Sequence, residues 1–136
     1  MKNILDQLQT LRNIRLGAPV DTKNIILCQK ELVKNQIAQV PDSFLQILHR
    51  YNAISYDGAN IYGIAPQGKI FFDIVKTNIL SPMEDKKNTV ILGADEFDYM
   101  AYNTPRGLYQ IIDKEDMEVL EEYTDIEQAL YHILKI

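Results

Sequence analysis

Apolar residues recur every three or four positions in the first third of the chain, which is the period of a helix with one buried face. The first such run ends at Arg15, ahead of Gly17-Ala18-Pro19, a sequence that stops a helix. Asp21 is placed to cap a second helix. We expect the buried stripe of this second helix to contain Ile25, Cys28, Leu32 and Val33.

Pro41 opens a third helix, since the first helical turn has no use for the N–H that proline lacks. Beyond this helix the pattern changes to short apolar runs separated by turn residues. Residues 52–58 are predicted as a loop that ends in the turn signal Asp57-Gly58. We predict strands over residues 59–64, 69–72, 89–92, 97–103, 108–112 and 117–123.

Two further helices are predicted among and after these strands. A short one follows residue 72 and ends at Ser81-Pro82, and the capping box at residues 124–127 begins a C-terminal helix. Helices that come first and hairpin-linked strands that follow are typical of the α+β class. We therefore predict a single domain over residues 1–136, with N-terminal helices packed on a mainly antiparallel, mixed sheet and a C-terminal helix closing the fold.

Charge is unevenly distributed along the 136 residues. The net charge is −5, and the region from Asp95 to Glu127 holds eleven acidic residues against two basic ones. Nucleic acid binding requires a basic face, so this balance argues against a nucleic-acid partner and is compatible with a basic protein partner. A lone cysteine, Cys28, and the lack of a long apolar run predict a reduced, cytoplasmic protein without a membrane segment.

One stretch, from Gly63 to Ile70, matches the spacing of a phosphate-binding loop. In such a loop Lys69 and backbone N–H groups would hold a nucleotide. Ile70 replaces the hydroxyl residue that would hold magnesium, Pro66 removes an N–H group, and no βαβ pattern surrounds the stretch. We predict a turn between strands here and keep a nucleotide-dependent enzyme only as an alternative.

No other constellation of residues indicates chemistry. Cys28 lies on an apolar helical stripe and is predicted to be a buried hydrophobic residue. His49 and His132 fall off the apolar stripes of their helices, so we expect both to face solvent, and two isolated histidines do not form a zinc site. We predict no catalytic, cofactor-binding or metal-binding residue, and no enzyme activity.

The stretch from Val90 to Asn103 combines an apolar run, a turn with three acids and a return of aromatic residues. Its acids, Asp95, Glu96 and Asp98, lack the spacing of a calcium loop. With the usual alternation of a strand, Phe97, Tyr99 and Ala101 are predicted to face the core, and Asp98, Met100 and Tyr102 the opposite side. Aromatic residues and methionine are enriched at protein interfaces, so that opposite side is a candidate binding surface.

The serial order of several short motifs resembles the SUKH superfamily, which includes the yeast cell-wall assembly regulator and small YrhA-like bacterial proteins. The similarity extends from about residue 17 to the C-terminus. It is carried by Val40-Pro41-Asp42-Ser43-Phe44 with the following Tyr51-Asn52, by Asp57-Gly58 with Ile61-Tyr62-Gly63, by Ile91-Leu92-Gly93 with residues 97–102, and by the helix TDIEQALYHIL.

The resemblance implies an α+β fold and a non-enzymatic immunity protein. Bacterial members of the superfamily are thought to bind and neutralise toxins from neighbouring cells, many of them nucleases. The implied partner is a basic toxin domain, and the alternative is a regulatory scaffold protein without a toxin partner. We place the expected partner contacts at the following residues: Tyr56, Asp57, Asp95, Glu96, Asp98 and Tyr102.

Overall fold

The computed structural model describes residues 2–64 and 72–136. In this part of the chain, five helices surround one antiparallel sheet of seven strands. The helices are α1 (Lys2–Leu8), α2 (Thr22–Lys34), α3 (Asp42–Leu48), α4 (Ile74–Leu80) and α5 (Ile126–Leu134). The strands are β1 (Arg15–Leu16), β2 (Ile54–Tyr56), β3 (Ala59–Ile61), β4 (Thr89–Ala94), β5 (Asp98–Asn103), β6 (Leu108–Asp113) and β7 (Val119–Tyr123).

The strands lie in the sheet in the same order as in the chain, and each neighbouring pair is antiparallel. A single parallel bridge, between Gly63 and Asp73, lies outside the named strands of the described residues. The predicted α+β class with a mainly antiparallel sheet and a closing C-terminal helix is confirmed.

Helices cover both faces of the sheet. The hydroxyl group of Tyr109 on β6 lies 2.6 Å from that of Ser43 on α3, and Tyr123 on β7 bonds His132 on α5, so α3 and α5 share one face. The side chains of Tyr99 and Ile91 line a groove with α4 on the other face. The central strands are therefore apolar on both sides, as the fully buried Met100 and Ala101 show.

This double covering corrects the side-chain assignment for the stretch around β5. Met100 was expected on an open face but is buried, because α5 covers that face. Phe97 was expected in the core, but it precedes β5 in a turn and is 66% exposed. Tyr99 and Tyr102 are both half-buried, on opposite faces.

Three boundaries also differ from the sequence-based prediction. The first helix ends at Leu8, and Arg15 lies in β1, where it pairs with Ser55. Residues 54–56, predicted as loop, form β2. The predicted strand at residues 69–72 falls largely outside the described residues, and Phe72 itself is not in a strand.

The helix caps and stripes mostly follow the prediction. Asp21 caps α2 by accepting a hydrogen bond from the Asn24 N–H, at 2.8 Å. Three of the four residues predicted on the buried stripe of α2 are buried, whereas Val33 is 58% exposed. Asp125 rather than Thr124 caps α5, because its carboxylate accepts the Glu127 N–H. The buried stripe of α5 consists of Ile126, Ala129, Leu130, Ile133 and Leu134, at the spacing of an amphipathic helix.

Candidate functional site

Alternate turns of the sheet lie at the same end, because neighbouring strands are antiparallel and follow the chain order. The turns β2–β3, β4–β5 and β6–β7 therefore form one rim, with successive turns about 10 Å apart at the usual strand spacing. We call this rim the acidic edge. Its carboxylates belong to Asp57, Asp95, Glu96, Asp98, Asp113, Glu115, Asp116 and Glu118.

The first turn of the acidic edge is a two-residue hairpin loop. Asp57 and Gly58 connect the paired residues Tyr56 and Ala59, with φ values of 48° and 85°. Positive φ at both positions is the geometry of the type I′ turn, whose twist matches that of the flanking strands. The predicted Asp57-Gly58 turn is confirmed, and it leaves Asp57 exposed.

The second turn is held by the side chain of Asp95. Its Oδ1 accepts hydrogen bonds from the N–H groups of Phe97 and Asp98, at 2.9 and 2.8 Å. Its Oδ2 lies 3.3 Å from the Nζ of Lys135, and the carboxylate is only 7% exposed. Asp95 therefore fixes the turn, and its oxygens are occupied within the chain itself.

Two aspartates three residues apart have pKa shifts of opposite sign. Burial acts to raise the pKa of Asp95, but the hydrogen bonds from the N–H groups of Asp98 and Phe97, together with the Lys135 ammonium, outweigh it, so that pKa lies below its ordinary value. The pKa of Asp98 is raised by burial and by the negative charges of Asp95 and Asp113. Asp98 thus sits in an environment that disfavours its own charge.

This turn also presents Phe97 to solvent on a rigid backbone. The Phe97 carbonyl accepts a hydrogen bond from the Lys114 N–H at 3.0 Å, and the Nζ of Lys114 donates to the Asp95 carbonyl at 2.6 Å. The second and third turns of the acidic edge are thereby tied together. The result is an exposed aromatic ring on a turn whose backbone is hydrogen-bonded, flanked in sequence by Glu96 and Asp98.

The structure brings five of the six predicted contact residues to the acidic edge and separates the sixth. Of the five, Asp57 and Glu96 are exposed, Tyr56 and Asp98 are half-buried, and Asp95 is buried. Tyr102 lies four residues beyond Asp98, or about 13 Å along the strand. There its ring meets that of Tyr109 edge-to-face at 4.9 Å and lines a groove of about 550 Å³ with residues of the α2–α3 loop.

The sequence analysis missed two parts of this edge. Phe97 was assigned to the core because strand alternation was extended one residue too far. The acids of the β6–β7 turn were counted but not placed, although a hairpin on either side of β5 would have put that turn beside Asp95. Strand order, and not composition, is the signal that groups them.

The remaining candidates are Cys28, His49, His132 and the stretch from Gly63 to Ile70. Cys28 is buried, and burial followed by the charge of Asp73 raises the pKa of its thiol to about 12. His49 is exposed, as predicted, whereas His132 is half-buried and its Nδ1 lies 2.8 Å from the Tyr123 hydroxyl. The phosphate-loop-like stretch beginning at Gly63 falls mainly on residues 65–71, outside the described residues.

Two further features are absent from the described residues. Within residues 2–64 and 72–136, no group of three or more His, Cys, Asp and Glu side chains could hold a metal ion. No helix in the same ranges is long and apolar enough to cross a bilayer. Comparisons of the chain with models of known families, with characterised proteins and with solved structures return no match.

Proposed function

We propose that this chain is a non-enzymatic binding protein that neutralises a basic toxin domain by direct contact through the acidic edge. The motif order that resembles the SUKH superfamily supports the toxin as partner. The observation that carries the binding surface is Phe97, 66% exposed in a turn whose backbone is fixed by Asp95 and Lys114. A rigid exposed aromatic residue loses little conformational entropy on binding.

The charges around Phe97 define the complementary surface. Glu96 is exposed, Asp98 is half-buried, and Asp57 lies on the neighbouring turn. A basic partner would approach this edge faster than a neutral one, and its apolar pocket would receive the ring while its cations meet the carboxylates. A nuclease is one such partner, because its substrate site must itself attract phosphates.

The experiment looks for a toxin domain encoded beside this chain in its source genome and measures binding to it, by calorimetry and by survival of cells that express both. Phe97→Ala is expected to weaken binding by about 30-fold or more, the effect of removing an interface hot spot. The matched control is Leu27→Ala, which removes an exposed apolar side chain on α2.

The charge contribution has a separate readout. Glu96→Gln is expected to lower the association rate and its dependence on salt, with a smaller change in the dissociation rate. Equal binding by wild type and Phe97→Ala would contradict the proposed surface. Failure of the wild type to bind or neutralise the toxin would contradict the function itself and favour the regulatory alternative.

A further inference from the structure

Among the described residues, the sheet has one long edge strand without a second partner, which is β7. Of the two terminal strands, β1 has two residues, whereas β7 has five and pairs, within residues 2–64 and 72–136, with β6 alone. Four of the five residues of β7 are exposed, including Val119 at 42% and Leu120 at 47%. The outward N–H and C=O groups of such a strand are a template for pairing with another strand.

The charges of β7 oppose pairing with a second copy, and a bulge marks where its ladder with β6 is interrupted. Leu120 is an extra residue in the β6–β7 ladder, since Ile111 pairs with Glu121 and Ile112 with Val119. In an antiparallel register that aligns Val119 with Leu120 of the second copy, each Glu118 would face a Glu121. Like charges directly opposite each other are destabilising, so Glu118 and Glu121 disfavour pairing of β7 with a second copy. They do not disfavour pairing with a basic strand.

A groove beside the start of β7 has the chemistry of a site for a long basic side chain. Its volume is about 410 Å³. Its apolar lining comes from Pro82, Met83 and Met117, and its acidic lining from Glu84, Asp85 and Asp116. Lysine and arginine bury an apolar stem while keeping the charged group near polar partners, and this lining offers both surfaces within reach of Val119.

We propose that β7 accepts an extended, basic segment of a protein partner as an eighth strand, with one lysine or arginine side chain in the groove at Met117. Backbone hydrogen bonds would supply affinity, and alternate side chains would supply specificity. This inference rests on the proposed function, from which it takes a protein as the partner. It adds that the partner has an extended segment with basic side chains. Because β7 directly follows the β6–β7 turn, the added strand would continue the surface of the acidic edge.

The test uses the full ¹⁵N-labelled chain and an eight-residue peptide of alternating lysine and valine. Shift changes are expected at residues 119–123 and around the groove, at residues 83–85 and 116–117. A peptide with N-methyl groups on every residue keeps the charge but has no backbone N–H to donate along either edge, and we expect it to bind at least tenfold more weakly. A peptide of alternating glutamate and valine is expected not to bind.

Single substitutions separate the groove from the net charge of the chain. Glu84→Gln is expected to weaken the lysine–valine peptide about threefold, as for an exposed charge pair. Glu31→Gln makes the same charge change on an exposed position of α2 and is expected to leave the affinity unchanged.

Three results would overturn the strand addition. They are equal binding of the N-methylated peptide, shift changes confined to the turn at residues 95–98, and no binding up to about millimolar peptide. These results are distinguishable from failure of the proposed function, because Phe97→Ala should weaken toxin binding by about 30-fold or more and leave peptide binding at β7 unaltered. If the wild type binds the peptide but no toxin, the proposed function is contradicted, whereas the proposal that β7 accepts a strand still holds.

Discussion

At the scale of single residues, two asparagine side chains bond backbone groups as a neighbouring strand would. One of these side chains is buried and the other is half-buried. Asn78 on α4 is fully buried, and its side chain bonds both the N–H and the C=O of Ile91. Ile91 pairs with Ala101 of β5 on one side, but β3 pairs with β4 only at Gly93 and Ala94, so Ile91 has no partner from β3 on the other side. Asn52 bonds the N–H and C=O of Ile64 in the same way. Neither amide role has a signature in the local sequence.

Close backbone approach adds a second constraint at the residue scale. A Cβ atom at Gly17 would lie 1.7 Å from the Asn52 carbonyl oxygen, and one at Gly63 would lie 2.2 Å from its Oδ1. Such contacts are shorter than any Cβ atom tolerates, so positions 17 and 63, both packed against Asn52, accept only glycine. Gly17 was interpreted from the sequence as a helix stop, whereas its structural role is this approach.

Opposite pKa shifts in the β4–β5 turn predict opposite responses to pH. The folded-state pKa of Asp95 is lowered, so its charge stabilises the fold above the unfolded value near 3.9 and this contribution is lost as pH falls through the folded pKa. The pKa of Asp98 is raised, so its penalty is absent at low pH and complete once the pH exceeds the folded pKa. Asp95→Asn should therefore destabilise the chain at pH 7, by about 1–2 kcal/mol, and Asp98→Asn should stabilise it.

Urea unfolding of the three proteins between pH 2.5 and 7 measures both effects. Asn keeps the Oδ1 acceptor of Asp95, so the comparison isolates charge from turn geometry. Both differences from wild type should shrink as the pH falls, for Asp98 below the unfolded value near 3.9 and for Asp95 only below its lowered folded-state pKa. Destabilisation by Asp98→Asn at neutral pH would show that the Asp98 carboxylate is favoured by its surroundings.

At the scale of elements, a helix or strand could be predicted from the sequence where its pattern of apolar residues is long enough to repeat several times. Helices α2 and α5 have several turns of apolar stripe and a capping aspartate nearby, and both were placed closely. β1 and β2 have two and three residues, too few for alternation to be visible. They form because Gly17 and Asn52 bring the two segments together, a long-range effect that local propensity does not contain.

The same argument explains the misplaced residues of the candidate site. Phe97 reads as the first residue of an alternating strand, but the Asp95 carboxylate accepts its N–H and turns the backbone away from the sheet. Met100 reads as outward-facing, and it is buried only because α5, more than twenty residues later in the chain, covers that face. The turns could be predicted, whereas what covers each strand could not.

The N-cap of α5 gives a prediction at the scale of elements, because the sequence indicates Thr124 as the capping residue and the structure has Asp125. The structure has the Asp125 carboxylate bonded to the Glu127 N–H at 2.9 Å, with Thr124 outside the helix. Asp125→Ala should lower the free energy of unfolding by about 1 kcal/mol, the usual loss for an N-cap, and Thr124→Ala by much less. Chemical denaturation measures both. A larger loss for Thr124→Ala would restore the capping box that the sequence indicates.

At the scale of the whole molecule, charge and topology act together. The antiparallel order of the strands gathers acids from three turns at one end, and β7 continues that negative surface along an unpaired edge. Scattered along the chain, the same acids would only solvate separate loops. Gathered together, they raise the local concentration of basic partners and repel a second copy of the chain.

This charge arrangement predicts that the wild-type chain is a monomer and that a basic β7 would pair with it. In the register that opposes residue 118 to residue 121, Glu118→Lys/Glu121→Lys puts lysines opposite both wild-type glutamates. A mixture of the variant and the wild type should form a heterodimer at low salt, whereas each protein alone stays monomeric. The charge pairs are exposed, so the dimer should weaken as salt rises toward physiological strength.

Sedimentation velocity with one fluorescently labelled component measures the heterodimer directly. The matched control is Glu96→Lys/Glu115→Lys, which changes the net charge equally at two exposed turn positions outside β7. If attraction between net charges were sufficient, this control would associate with the wild type equally well. Only pairing along β7 requires the lysines to lie at residues 118 and 121. A heterodimer that forms with this variant and not with the control would therefore show that the glutamates at these two positions prevent the edge strand from pairing with a second copy.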